Sequence, residues 1–300
     1  MIRVFAFKDK HNQPFVGVDY QGRLYNFTRA WDLYKQIKLN GQGPDLAFIQ
    51  IMLEMDLFHS DVFHELFETL QQYRSLDDLI VQDDPHVSIP IERPSKIICV
   101  GRNYGRHALE LGNEIPDEPI LFAKAPSSMI ATEEPVRLPT GIGRVDYEGE
   151  LAVVIGKSGR RIPEARALDY VAGYTLINDI TARELQKQDK ERGLPWFRSK
   201  SYDTFCPIGP ALVPAAEVTD PQKFYLTVQV NGEVRQQGDC GDMLFPVARL
   251  ISYISQMMTL IPGDIIATGT PEGVGPLKNG DRVEVEIQEI GILRNPVVHE

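Results

Sequence analysis

The run Asp146-Tyr147-Glu148-Gly149-Glu150 sets two glutamates two residues apart at the head of the apolar stretch Leu151 to Gly156. Alternate residues of a strand project from one face, so Glu148 and Glu150 would stand side by side, with Cα atoms roughly 7 Å apart. Like charges so placed repel unless a cation lies between them. Gly149 leaves room on the opposite face. A third carboxylate, Asp179, ends the apolar run Tyr174 to Asn178, which reads as a buried strand. Three carboxylates with no Cys or His pair beside them make a hard, all-oxygen site, suited to Mg²⁺ or Mn²⁺ better than to Zn²⁺ or iron. The same residues also fit a plainer arrangement, a solvent-facing strand edge bearing two acids and an aspartate that caps the following helix.

A second group is Arg106-His107-Ala108-Leu109-Glu110, in which His107 and Glu110 share one face of a helix at i and i+3. A carboxylate beside an imidazole orients the ring and raises its basicity, as a general base requires. An exposed helical His–Glu pair is the alternative. Two further patterns fail on inspection. Gly156-Lys157-Ser158 would end a phosphate-binding loop only with glycine at 151, where Leu151 stands. Gly141-Ile142-Gly143 lacks the third glycine of a dinucleotide fingerprint.

Elements to position these groups are legible along the chain. Ile2 to Phe7, Phe15 to Tyr20 and Arg23 to Phe27 read as a meander, followed by two helices. In the second of these, Ser60 is the expected N-cap, and Val62, Phe63, Leu66, Phe67 and Leu70 recur at helical spacing. Pro85, Pro90 and Pro94 mark a linker near 83–95. Beyond it, short apolar runs alternate with Gly- and Pro-rich turns, which indicates a β-dominated domain. Two helices are expected within it. One spans Thr181 to Arg192, with Thr181 and Glu184 as a capping box and Gly193 as the stop; the other spans Phe245 to Met258.

Composition narrows the function classes. The 300 residues carry a net charge of −11, which disfavours nucleic acid or an anionic membrane as partner. No run of 18 apolar residues suggests a transmembrane helix, and the N-terminus lacks the pattern of a signal peptide. Cys99, Cys206 and Cys240 read as buried free thiols in a reducing compartment, so the expected location is the cytoplasm.

Taken together, the segments KIICVGRNYGRHALELG, EPILFAK, DYEGELAVVIGKSGRRI, VAGYTLINDITARELQ, GLPWFRSKSYDTFCPIGP, VNGEVRQQG and GDIIATGTPEGVG resemble the fumarylacetoacetate hydrolase family, from about Pro94 to Ile292. The resemblance implies an α+β, β-dominated fold. A mixed β-sandwich roll would form the catalytic domain over 93–300; outside the resemblance, the meander and helices before the linker read as a small α/β N-terminal domain over 1–92. The resemblance also implies a homodimer with one divalent metal, Mg²⁺ or Mn²⁺, per subunit. By motif match, the metal ligands are Glu148, Glu150 and Asp179, Lys200 is the active-site lysine, and His107 with Glu110 is the acid–base pair of a lid. Arg102, Gln236 and Thr270 match blocks that grip the substrate. The implied substrate is a small anionic 2-oxo acid. The expected reaction is C–C bond cleavage through a metal-stabilised enolate, either oxaloacetate decarboxylation or acylpyruvate-type hydrolysis. Two alternatives stand beside it: isomerisation or decarboxylation of a dienoate in aromatic catabolism, and a non-catalytic regulatory protein that keeps the fold.

Overall fold

The computed structural model describes residues 1–82, 85–110, 112 and 114–300. The N-terminal meander forms the strands Arg3–Lys8, Pro14–Tyr20 and Arg23–Asn26. Three helices follow where two were expected: Phe27–Lys38, Ile49–Glu54 and Ser60–Tyr73. Phe63, Leu66, Phe67 and Leu70 of the third are buried as the spacing predicts. Ser60, however, is its first helical residue, and His59 takes the cap position without a side-chain bond. Of the expected linker, residues 83 and 84 lie outside the described residues. His86 and Val87 pair with Lys8 and Phe7 as an added strand.

Val4 pairs antiparallel with Leu212, so the meander continues a large sheet. From Arg3–Lys8 that sheet runs through Cys206–Pro214, Val171–Asn178, Gly149–Ile155, Ile265–Ala267, Ile97–Gly101 and Ile120–Lys124. The segments on either side of residue 92 thus share one hydrogen-bonded ladder. A five-stranded sheet contains Glu233–Asp239, Tyr225–Val230, Arg282–Ile287, Gly291–His299 and Val136–Leu138. The fold is α+β and β-dominated, as expected.

Strand Gly149–Ile155 lies between two cores. Leu151, Val153 and Ile155 pack with Val228, Val283 and Val285 of the five-stranded sheet and with Leu250 and Ile254 of helix Val247–Met257. Ala152 and Val154 join the other core, with Val4, Val18, Phe63 and Phe67. Burial of both faces is why this strand reads as an unbroken apolar run. Gly149 sits against the five-stranded sheet, since a Cβ there would come 2.4 Å from Val228 Cγ2. The room that its position suggested is therefore required.

The helix expected from Thr181 starts two residues later, as Arg183–Glu191, with Ala182 at the cap and no side-chain cap bond. Thr181 pairs instead with Asp146 in a short strand, and its hydroxyl donates to Asp179 O (2.9 Å). Glu184 reaches the Arg144 N–H, so the capping box does not form. Gly193 ends the helix in a left-handed conformation (φ 67°) that favours glycine. All three cysteines are buried free thiols. Among the described residues no helix is long and apolar enough to cross a membrane.

Candidate active site

The three carboxylates converge. Glu148 precedes strand Gly149–Ile155, Glu150 is its second residue, and Asp179 follows strand Val171–Asn178, which pairs with it. One carboxylate oxygen from each falls within 4.8 Å of the others, and all three residues are buried. Burial excludes the solvent-facing edge, and Asp179 is not the cap of the next helix. Asn178 helps set the geometry, because its Oδ1 accepts the Glu148 N–H (2.9 Å).

Cations surround the trio. Lys200, in the short helix Phe197–Lys200, donates through Nζ to Glu148 Oε2 (2.7 Å) and Asp179 Oδ2 (2.5 Å). Its ammonium also lies 4.9 Å from the Phe122 ring centroid. Burial alone would lower the Lys200 pKa, but Asp179 and Glu148 raise it and keep the group charged. Arg183 donates to Glu148 Oε1 and, at 2.7 Å, to Asp146 Oδ2. Lys124 donates to Asp179 Oδ1 (2.7 Å). Burial would raise the Glu148 pKa, but Lys200 and Arg183 hold it well below the ordinary carboxylate range.

Glu150 is the exception. Burial first, then Asp179 and Glu148, push its pKa well above the ordinary range. Its Oε2 accepts the Gly269 N–H (2.8 Å), for which Gly269 adopts φ 97° at a point where a Cβ would meet Asn103 Cβ at 2.8 Å. A further positive charge among these oxygens would ionise it. The donor set is three hard oxygens from separate carboxylates, which fits a small divalent cation such as Mg²⁺ or Mn²⁺.

These groups open onto a cavity of about 380 Å³, also lined by Arg102, His107, Phe122, Lys187, Trp196 and Thr270. His107, in the helix Gly105–Glu110, is buried, and its Nδ1 has no hydrogen-bond partner. Glu110 Oε2 lies 3.7 Å from that nitrogen, beyond hydrogen-bond reach. The Glu110 carboxylate instead accepts the Gly273 N–H at 3.0 and 3.2 Å. Burial lowers the His107 pKa despite the pull of Glu148, which leaves the ring neutral near pH 7.

The expected substrate residues divide. Arg102 lines the cavity with its guanidinium 5.8 Å from the Trp196 ring. Thr270 lines it too, but its hydroxyl already donates to Gly149 O (2.8 Å). Gln236 is not on the cavity wall. Its amide donates to Thr270 Oγ1 (2.8 Å) and Pro271 O (2.7 Å) and accepts the Gly149 N–H (3.1 Å), bracing Thr270 and the strand from behind. Sequence reasoning passed over Lys124, Arg183, Lys187 and Trp196. Of these, Lys124 alone carried a signal, a lysine closing the apolar run of EPILFAK.

The sequence model of the fumarylacetoacetate (FAA) hydrolase C-terminal domain matches residues 96–298, and the chain belongs to this family. It is 47% identical over 219 residues to the oxaloacetate tautomerase YisK of Bacillus subtilis, covering 69% of this chain and 71% of that protein. Among solved structures, it resembles a fumarylacetoacetate hydrolase from Exiguobacterium antarcticum over the full length of both chains (TM-score 0.77, 33% identity). It also resembles a Pseudomonas aeruginosa fumarylpyruvate hydrolase in complex with Mn²⁺ and pyruvate, with TM-score 0.67 and 38% identity, covering 73% of this chain and 93% of that one.

Proposed function

We propose that this chain interconverts the keto and enol forms of a small 2-oxo dicarboxylate such as oxaloacetate. The observation that carries the reading is His107, a buried imidazole with an unpaired Nδ1, on the wall of the cavity that holds the three carboxylates and Lys200. A neutral imidazole can take a proton from the carbon beside a polarised carbonyl and give it back on the other side of the tautomeric pair. Lys200 supplies positive charge where the enolate oxygen develops. Arg102 and Lys187 offer cations to the substrate carboxylates, and Phe122 and Trp196 wall part of the cavity with apolar surface. Glu148, Glu150 and Asp179 would hold Mg²⁺ or Mn²⁺, which when bound supplies Lewis-acid polarisation of the 2-oxo carbonyl. Activating a water calls for a base oriented by its carboxylate, whereas Glu110 here is tied to Gly273. Proton transfer alone makes the smaller demand on this arrangement, and the likeness to an oxaloacetate tautomerase supports it.

The C–C bond cleavage anticipated from the sequence is the second reading, supported by the likeness to the fumarylpyruvate hydrolase. It passes through the enolate of pyruvate, formed as CO₂ or an acyl group leaves the carbon beside the keto group, whereas tautomerisation removes only a proton and keeps the whole dicarboxylate. Proton NMR of oxaloacetate in D₂O with Mn²⁺-loaded protein, quenched with excess chelator before recording, separates the two. We expect accelerated exchange at the carbon beside the keto group, with oxaloacetate conserved. Pyruvate released as fast as the enol disappears would overturn tautomerisation in favour of cleavage.

A further inference from the structure

Lys124 is an ammonium with no exposed side-chain surface, at the end of strand Ile120–Lys124. Its three N–H donors meet three acceptors: Asp179 Oδ1 (2.7 Å), Ile180 O (3.3 Å) and Lys200 O. No donor is left for a substrate, and Lys124 is not part of the cavity wall. Phe122 lies two residues earlier on the same face of the strand and sets its ring against the Lys200 ammonium. One strand therefore fixes Asp179 and both ends of Lys200.

The pattern extends to the other two carboxylates. Glu148 Oε1 is held by Arg183, and Glu150 Oε2 by the Gly269 N–H. Each member of the trio thus has one oxygen held by a donor from outside the cluster: the buried Lys124, the partly exposed Arg183 and the Gly269 N–H. On Glu148 and Asp179 the remaining oxygens are the ones that Lys200 touches. A cation entering here would share those two oxygens with Lys200 and meet one oxygen of each carboxylate, because the other is held from outside. Mg²⁺ and Mn²⁺ accept few, singly bound oxygens in a compact octahedron, whereas Ca²⁺ takes six to eight at longer distance and gains from two-oxygen carboxylates.

We propose that Lys124 is a positioning residue that restricts Asp179 to one available oxygen and so makes the site selective for a small octahedral cation over Ca²⁺. The proposal rests on the assignment of the carboxylate trio as the metal site. The test measures Mn²⁺ affinity by the electron paramagnetic resonance of free Mn²⁺, and Ca²⁺ affinity by competition, in the wild type and in Lys124→Met. In the wild type, Mn²⁺ should bind at least about tenfold tighter than Ca²⁺. Lys124→Met should weaken Mn²⁺ by about 10–100-fold, as loss of an outer partner of a ligand does. Ca²⁺ should weaken far less, so that the ratio closes. If Lys124→Met does not fold, Lys124→Leu, which likewise offers no donor to Asp179, is measured for the same ratio. Equal loss of both ions would mean general loosening and overturn the proposal, as would two unchanged affinities. If the wild type takes up no Mn²⁺, the trio is not a metal site; that failure is visible before any variant is compared.

Discussion

Two fully buried carboxyl groups, Asp264 and Glu150, lie at opposite ends of the same region of sheet and are treated in opposite ways. Asp264 is surrounded by donors: the Lys96 ammonium (2.5 Å), the Ser95 hydroxyl (2.5 Å) and the Ile261 N–H (2.8 Å). Glu150 is packed against Glu148 and Asp179 and accepts the Gly269 N–H. Both are at most 1% exposed. A buried charge that is fully paired belongs to the architecture. One left facing other negative charges is held there against its own electrostatics, and such sites are where chemistry is found. Burial alone does not separate the two cases, but the donors around each carboxylate do.

Exchanging each carboxyl for its amide tests this contrast. Glu150→Gln should lower turnover by roughly a thousandfold, the several kcal/mol that a Lewis acid contributes when bound. The metal-free protein should become no less stable, because an amide carries no cost of ionising beside Asp179 and Glu148. The pH dependence fixes the sign: a carboxyl whose pKa is raised on folding stabilises the fold below its unfolded value, and that stability is lost as pH rises through the folded one. Urea unfolding in chelator should therefore show wild-type stability falling as pH rises, and a flatter dependence in Glu150→Gln. A variant that unfolds more easily than wild type in chelator would show that Glu150 is structural after all.

Asp264→Asn should do the reverse. Breaking a buried pair costs about 3–5 kcal/mol, read as a lower urea midpoint, while turnover per folded molecule stays near wild type. Loss of turnover in a stable Asp264→Asn protein would dissolve the distinction between the two carboxyls.

A smaller effect is expected at His107. Burial depresses its pKa, so proton acceptance should persist below the ordinary histidine midpoint of 6.5. The rate should rise with pH along a limb centred below that value and stay level through neutrality. His107→Asn should remove the limb and about a hundredfold of the rate, a general base's usual share. A limb centred above 6.5 would assign the proton transfer to another group.

Legibility in the sequence followed the same physics. Strand spacing suggested that Glu148, Glu150 and Asp179 could converge, but the same acids also fit a solvent-facing edge and a helix cap, so it was the family resemblance that completed the trio. The buried sheet strands were visible because burial on both faces leaves no polar alternation. Lys124 was passed over because a lysine ending an apolar strand also marks an ordinary exit to solvent, and only tertiary packing closes its three acceptors around it. Arg183 lies in the polar helix Arg183–Glu191, whose composition reads as solvated; its partners Asp146 and Glu148 lie more than thirty residues earlier in the chain. Thr181 was misjudged as a cap because its hydroxyl is drawn back to Asp179 O and its backbone to Asp146. Gln236 was found by its sequence block, but spacing along one chain does not reveal whether an amide faces a cavity or stands behind its wall.

The pairing of Val4 with Leu212 bears on any attempt to isolate the catalytic part. Removing the first 92 residues would uncover the edge of Cys206–Pro214 around Leu212, leaving Met129–Ile130 paired at Cys206 and Pro207; the strand is nine residues long and buried along its whole length. A long apolar strand with a bare edge recruits other chains. The N-terminal meander is thus a guard against self-association, and a truncated protein would report first on its own aggregation.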